Sequence, residues 1–249
     1  MTTRGTLVLV AGFTTFAALI LALDGGATPL EHLALGIAAW IFFFVTLRLQ
    51  PRDVRIQVLI LVCVATLLEV IGSIVWRAYT YRFEDLPLFV PAGHGLFYLC
   101  ALRVAALPAL AVRSRPIVVA VTAAATLWMI FGLLRPPLPD LLGFVVWAIF
   151  IRFIIRGRYP LLYAVSFVMT AGLEFWGTAF GVWRWAPVLP GLMLPAGNPP
   201  ACIGAGYAAM DALTRRIVAR LDRQRSAAEA PPRTMTPVPA ATGPAPAPR

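Results

Sequence analysis

The sequence contains no lysine at all and few charged residues of any kind. Charged residues make up 13% of its 249 positions, whereas hydrophobic residues make up 60%. A soluble domain carries about 25% charged and about 45–50% apolar residues, so this composition excludes an ordinary water-soluble protein. The lack of lysine also excludes a retinal Schiff base, because that bond needs a lysine amine.

Cysteine and histidine are scarce as well, with three and two residues respectively. Cys63, Cys100 and Cys202 all fall inside hydrophobic blocks without metal-like spacing, so we interpret them as small core residues. The chain also has no glycine-rich nucleotide loop and no histidine-rich metal box. One intramembrane histidine and two glutamates offer possible metal ligands, but their spacing is specific for no metal. We therefore predict no metal and no cofactor.

Most of the hydrophobic residues lie in long, nearly continuous apolar blocks. A helix that crosses the hydrocarbon needs about 20 mostly apolar residues. Eight blocks come close to or reach that length, and they are Thr6–Leu23, Leu33–Leu47, Ile56–Trp76, Leu88–Val112, Ile117–Leu134, Leu141–Ile155, Leu161–Trp183 and Pro200–Leu213. These blocks predict an all-α, polytopic membrane protein with about eight transmembrane helices, and seven helices are the main alternative. The first block lacks a signal-peptidase site, so we count it as a helix.

The arginines predict the orientation. Alternate loops are rich in arginine, at positions 4, 48, 52, 55, 113, 115, 156 and 158, and the last block is followed by arginines at 215, 216, 220, 223 and 225. The positive-inside rule then places both termini in the cytoplasm of a cell whose inner membrane holds the protein. It also accounts for the net charge of +10 without a nucleic-acid partner. Residues 222–249 are rich in proline and alanine and predict a disordered cytoplasmic tail.

Two copies of Pro-Ala-Gly, at Pro91 and Pro195, reveal an internal repeat. Each copy follows a helix with Leu-Glu, a glycine three residues after the glutamate, and then Trp-Arg. Gly36 precedes Trp40 by four residues, as Gly143 precedes Trp147. This pattern predicts a tandem duplication, with residues 1–115 and 116–221 as two four-helix repeats. Because four is even, the halves share one orientation and are related by an axis along the membrane normal.

Four polar residues are expected in one layer of the outer half of the bilayer. They are Glu69 and Glu174, which lie roughly 10 Å inside the boundary by helical rise, and His94 and Asn198, which follow the two Pro-Ala-Gly signals. Ionisable groups at such depth predict a functional site. Desolvation disfavours a carboxylate there, so a protonated acid is expected to work as a proton donor. The alternative is structural, with Glu69 bonded to His94 and Glu174 to Asn198.

Aromatic residues and one arginine complete the predicted site. The aromatic candidates for substrate contacts are Trp76, Tyr79, Tyr81, Trp176, Trp183 and Trp185. An interfacial aromatic belt is the ordinary explanation for such residues, and the alternative is that some line the cavity, where their faces can stabilise a carbocation. Arg103 lies about 18 Å along the fourth helix, where a lone charge is costly. We expect it to pair with Asp211, and a lipid headgroup is the alternative partner.

The loops that follow the glutamates resemble those of membrane-integral carotenoid-biosynthesis enzymes, the lycopene cyclases and C50-carotenoid hydratases. Val182–Pro195, "VWRWAPVLPGLMLP", is similar to their Trp-x-Tyr-x-Pro loop, and Phe83–Phe89, "FEDLPLF", to their acidic pair beside a proline. The resemblance covers two stretches of about 40 residues. It implies proton-initiated chemistry on a long isoprenoid without nucleotide or metal.

The sequence thus predicts a membrane enzyme that cyclises or hydrates an apolar isoprenoid, carotenoid or other lipid in an outer-leaflet cavity. Glu69 or Glu174 is the expected acid, and His94 is the base or the group that orients it. A small proton-coupled carrier, or a non-catalytic subunit bound to another membrane protein, remains the alternative. The sequence does not indicate the oligomeric state.

Overall fold

A computed structural model describes residues 2–229 of the chain, and it is mostly helical. The helices are α1 (Thr3–Asp24), α2 (Pro29–Arg48), α3 (Arg52–Glu69), α4 (Phe89–Ala105), α5 (Pro108–Val112), α6 (Ser114–Leu133), α7 (Leu141–Arg156), α8 (Pro160–Ala179) and α9 (Gly206–Glu229). A π-helical turn, Val70–Val75, extends α3, and a 3₁₀ turn, Ile203–Ala205, precedes α9. Four short strands complete the fold, namely β1 (Tyr79–Tyr81), β2 (Trp183–Trp185), β3 (Val188–Leu189) and β4 (Leu194–Pro195).

Five of these helices are long and apolar enough to cross a bilayer. They are α1, α2, α3 with its π-helical turn, α6 and α8. Their outer faces expose large apolar side chains, with Val8, Val119 and Phe131 between 61% and 71% exposed. Such a surface belongs against lipid rather than water. The structure therefore supports a helical membrane protein, and the predicted count of eight spans stays a prediction.

Local signals fix where these helices begin. Thr28 caps α2, because its hydroxyl accepts from the Glu31 N–H while the Glu31 carboxylate accepts from the Thr28 N–H at 2.7 Å. Pro29 and Pro160 occupy the first turns of α2 and α8, where a missing N–H costs nothing. The Asp140 side chain accepts from the Gly143 N–H at 2.8 Å and caps α7.

Helix α4 lies at the centre of the fold. It packs against α1, α2, α3 and α8, and ten of its residues are buried. Phe97, Leu99 and Cys100 are fully buried there with Phe43 of α2 and Leu61 of α3. A second core joins α6, α7 and α8 through Met129, Phe150 and Phe167. The 3₁₀ turn packs against α7 and α8, and α8 contributes Leu162 to the first core and Phe167 to the second.

Strands β1 and β2 pair antiparallel, although 104 residues separate their first positions. Tyr79 lies opposite Trp185, Thr80 opposite Arg184, and Tyr81 opposite Trp183. We call this side of the helix bundle the strand end. The opposite side, which carries the last turns of α2, α4 and α7 and the first turns of α3 and α8, is called the arginine end.

Three predicted boundaries are wrong. The fourth block is not one helix, because α4 ends at Ala105 and Pro108 begins α5. The last helix begins at Gly206 rather than Pro200, because the backbone of Cys202 is left-handed, with a φ of 64°, and interrupts a right-handed helix there. It also continues to Glu229, so 222–229 are helical where a tail was expected. The remaining residues of that tail, 230–249, lie outside the described part of the chain.

Candidate functional site

An apolar cavity of about 400 Å³ lies inside the bundle near the strand end. Side chains of α1, α4, α8 and α9 form most of its apolar wall, and Phe13, Ile20, Leu96 and Met210 are among them. The polar groups of its lining are Glu69, Tyr79, Tyr81, His94, Thr170, Glu174 and Tyr207, together with the indoles of Trp183 and Trp185. The cavity therefore suits a largely apolar molecule and offers it acidic and basic groups.

Glu69 is the most highly hydrogen-bonded group in the cavity. Its Oε2 accepts from the hydroxyl of Tyr79 at 2.6 Å and from that of Tyr81 at 2.8 Å. Its Oε1 lies 3.0 Å from His94 Nε2. Both partners of this pair are largely buried, with 14% of the Glu69 side chain and 12% of the His94 side chain exposed.

Burial, and then the negative charge of Glu69, raise the pKa of the Tyr79 and Tyr81 hydroxyls well above their ordinary value. Both strand tyrosines therefore remain protonated donors over the whole physiological range. Their donation to Oε2 fixes the carboxyl group and leaves Oε1 directed to His94.

His94 bridges Glu69 to a second group. Its Nδ1 lies 2.6 Å from the Tyr207 hydroxyl, and that ring stacks on Phe97 with 3.9 Å between centroids. A carboxylate accepts only, so Nε2 carries the proton and Nδ1 accepts from Tyr207 when Glu69 is ionised. The three residues form a connected path for proton movement from α3 through α4 to α9.

One oxygen of Glu174 is bound in the same way as Oε2 of Glu69, with two indole N–H groups in place of the two tyrosine hydroxyls. Its Oε2 accepts from Trp183 Nε1 and from Trp185 Nε1, both at 3.0 Å. Its Oε1 makes no hydrogen bond within residues 2–229. Glu174 thus has one fixed oxygen and one oxygen that is free to exchange a proton with a ligand.

The glycine three residues after each glutamate has a direct steric role. A Cβ on Gly72 would lie 3.0 Å from the Tyr79 ring, and a Cβ on Gly177 would overlap the Trp183 ring. Each glycine therefore makes room for an aromatic ring that donates to the glutamate. Tyr79 follows Glu69 by ten residues, whereas Trp183 follows Glu174 by nine. The π-helical turn after Glu69 accommodates the extra residue, since such turns arise from single insertions.

The strand pairing corrects one detail of the predicted repeat. The sequence pattern aligns Trp76-Arg77 with Trp183-Arg184, but in the structure β1 begins at Tyr79. Tyr79 and Tyr81 occupy the role that Trp183 and Trp185 hold in the second half. Trp76 lies outside the cavity lining, is 38% exposed, and donates to the Pro190 carbonyl.

Asn198 does not join the predicted polar layer. Its side-chain oxygen accepts from the Trp185 backbone N–H at 2.9 Å. Asn198 therefore stabilises β2 and makes no hydrogen bond to Glu174. The physical reason is that no helix starts after the second Pro-Ala-Gly, and α9 begins only at Gly206. Trp176 also lies outside the cavity lining, because its indole donates to the Ala18 carbonyl of α1 at 3.3 Å.

The predicted Arg103–Asp211 pair is absent. Arg103 lies in the last turn of α4 and donates to Gln50 at 2.5 Å. Asp211 instead accepts from Arg215 Nε with both oxygens, at 2.8 and 2.9 Å, and from the Tyr98 hydroxyl. Arg103 is therefore neither a cavity residue nor a partner of Asp211.

Tyr207 is the site residue that the sequence did not reveal. It follows His94 by 113 positions and has no counterpart in the repeat pattern. The packing of α9 against α3 and α8 brings it to the histidine. Within residues 2–229, no group of three His, Cys, Asp or Glu side chains is placed to hold a metal ion.

Comparison with known protein families, curated proteins and solved structures found nothing that matches this chain.

Proposed function

We propose that the protein is an integral membrane enzyme that uses proton transfer to cyclise, hydrate or isomerise an apolar isoprenoid. The observation that carries this proposal is the composition of the cavity of about 400 Å³, which places two glutamates and a histidine in a lining that is mostly apolar. Acid–base groups in a mostly apolar cavity suit protonation of a carbon–carbon double bond.

Glu174 is the proton donor in this proposal. Its Oε1 is unpartnered among the described residues and lines the cavity, whereas both oxygens of Glu69 are occupied. Transfer of the Oε1 proton to an olefin carbon breaks the double bond and leaves a carbocation on its neighbour. The faces of Tyr81, Trp183 and Trp185 line the same cavity and can stabilise that charge.

Glu69 and His94 complete the reaction as a base. They remove a proton from a carbon next to the cation, or from a water that adds to it. Direct loss of a proton from the first cation yields a shifted double bond, and addition of water yields an alcohol. A ring forms when a second double bond of the same substrate attacks the cation, and the new cation then loses its proton to the base. Tyr207 orients the imidazole by its bond to Nδ1, and return of the proton to Glu174 restores the resting state.

The same interpretation extends to architecture and location. We propose eight spans in two same-orientation repeats, in an inner membrane with both termini in the cytoplasm. Support comes from the antiparallel β1–β2 pair, which is centred on Thr80 and Arg184. An antiparallel pair has a local two-fold axis. Rotation about this axis exchanges Tyr79 with Trp183 and Tyr81 with Trp185, which are equivalent positions of the two halves. The arginine end then faces the cytoplasm.

Comparison of extracted apolar lipids tests the proposal. Membranes that contain the wild-type protein should accumulate a cyclised, hydrated or isomerised isoprenoid that is missing with Glu174→Gln. Both proteins should be present in equal amounts and should unfold at similar temperatures. A proton-coupled carrier would instead leave the chemical composition unchanged and alter only the distribution of a lipid. That result would reject the enzyme.

A further inference from the structure

A second cavity, of about 640 Å³, lies at the arginine end, away from the acid–base site. The end of α7, the loop to α8, the first turn of α8 and the middle of α9 form its walls. Five arginines line it, and Asp222 is the one acidic residue in the lining. The arginines are Arg152, Arg156, Arg158, Arg215 and Arg216.

These arginines converge from separate elements. Arg152 and Arg156 are one helical turn apart on α7, so they lie on the same face. Arg158 follows in the loop, and Arg215 and Arg216 come from α9. Like charges gathered around one cavity repel each other, and a bound anion is what relieves that repulsion.

Arg215 is already oriented for a ligand. Its Nε bonds both oxygens of the buried Asp211, and its guanidinium lies 4.0 Å over the Tyr159 ring. Because the bonds to Asp211 use Nε, the two Nη groups remain available as donors. Arg152, Arg156 and Arg216 are exposed, and no carboxylate within residues 2–229 pairs with them.

We propose that this cavity binds a phosphate group, supplied by the headgroup of an anionic membrane lipid. Guanidinium groups match phosphate oxygens through paired, charge-assisted hydrogen bonds. The cavity lies beside the first turn of α8, which is one of the five helices long and apolar enough to cross a bilayer. The ends of such helices lie near lipid headgroups, and basic pockets between membrane helices hold anionic lipids. This site does not depend on the proposed acid–base activity.

Native mass spectrometry of the full-length protein in neutral detergent tests the site, with phosphatidylglycerol as the probe. The test variant is Arg152→Gln/Arg156→Gln/Arg216→Gln, which spares Arg215 and its bond to Asp211. The control is Arg52→Gln/Arg113→Gln/Arg115→Gln, which removes three exposed arginines outside the cavity lining. The test variant should bind the lipid at least about tenfold more weakly, and the control should stay within about twofold of wild type.

Two further probes distinguish the source of the phosphate. Phosphatidylcholine, whose headgroup is zwitterionic, should bind wild type and both variants alike. Inorganic phosphate at millimolar concentration should not displace phosphatidylglycerol from wild type. Displacement would overturn the lipid source in favour of a free phosphate. Equal weakening in both triple variants would overturn the site, because it would mean general attraction to a basic surface.

Discussion

Tyr81 and Trp183 face each other across the β1–β2 pair, and each donates a hydrogen bond to the glutamate of its own half. Two distant loops thus present both carboxyl groups to one cavity. The pairing fixes the relative position of the two acids through backbone hydrogen bonds rather than through flexible side chains alone.

The two glutamates and the histidine should be needed for activity but not for folding. Glu69→Gln and Glu174→Gln keep the shape and a hydrogen-bonding amide, yet neither can release a proton. His94→Asn introduces the residue that the second half has at the equivalent position, Asn198. Each change should reduce product formation by at least about 100-fold, the usual range for acid–base groups, as measured in membrane extracts. If all three variants stay active and only alanine variants fail through instability, these side chains have structural roles alone.

Gly177→Ala should disturb the site through the Trp183 ring. The added methyl group overlaps that ring, so the indole must move away from Glu174. Overpacking of this kind costs about 1–3 kcal/mol, which thermal unfolding in detergent can measure. Gly172 lies on the same helix with nothing within 4 Å of an added Cβ, so Gly172→Ala is the matched control and should be neutral or stabilising. Equal losses in both variants would contradict the steric role.

Asp211 should couple to Tyr98 and not to Arg103. Tyr98→Phe and Asp211→Ala remove the two sides of one buried hydrogen bond, so the double variant should lose less stability than the sum. Coupling of contacting residues is about 0.5–3 kcal/mol. Arg103→Gln combined with Asp211→Ala should be additive, because Arg103 bonds Gln50 instead. Coupling between Arg103 and Asp211 would contradict the observed partners.

Reporter fusions test the proposed orientation. A fusion after Arg225, or between Gln50 and Arg55, should report the cytoplasm. A fusion between Phe83 and Leu86 should report the opposite side. A periplasmic signal after Arg225 would require an odd number of spans and would reject the four-plus-four repeat.

The sequence predicted those cavity residues that are ionisable and lie within an apolar block. Glu69, His94 and Glu174 are costly inside an apolar block, and all three line the cavity. Asn198 failed as a prediction because recurrence of Pro-Ala-Gly does not show whether a helix follows. The Arg103–Asp211 pair failed because Asp211 bonds Arg215, one turn further along its own helix, and Arg103 bonds Gln50. Tyr207 gave no signal, because its role depends on packing between helices that are distant in sequence.

Deuterium incorporation tests the central claim most directly. The purified protein, in nanodiscs with an apolar isoprenoid extract, is incubated in heavy water, and the lipids are analysed by mass spectrometry. Protonation of a double bond by Glu174 predicts a product with one carbon-bound deuterium that survives back-exchange in ordinary water. Glu174→Gln should give none. Lipids recovered without carbon-bound deuterium from the folded wild-type protein, and identical to those from Glu174→Gln, would contradict the account.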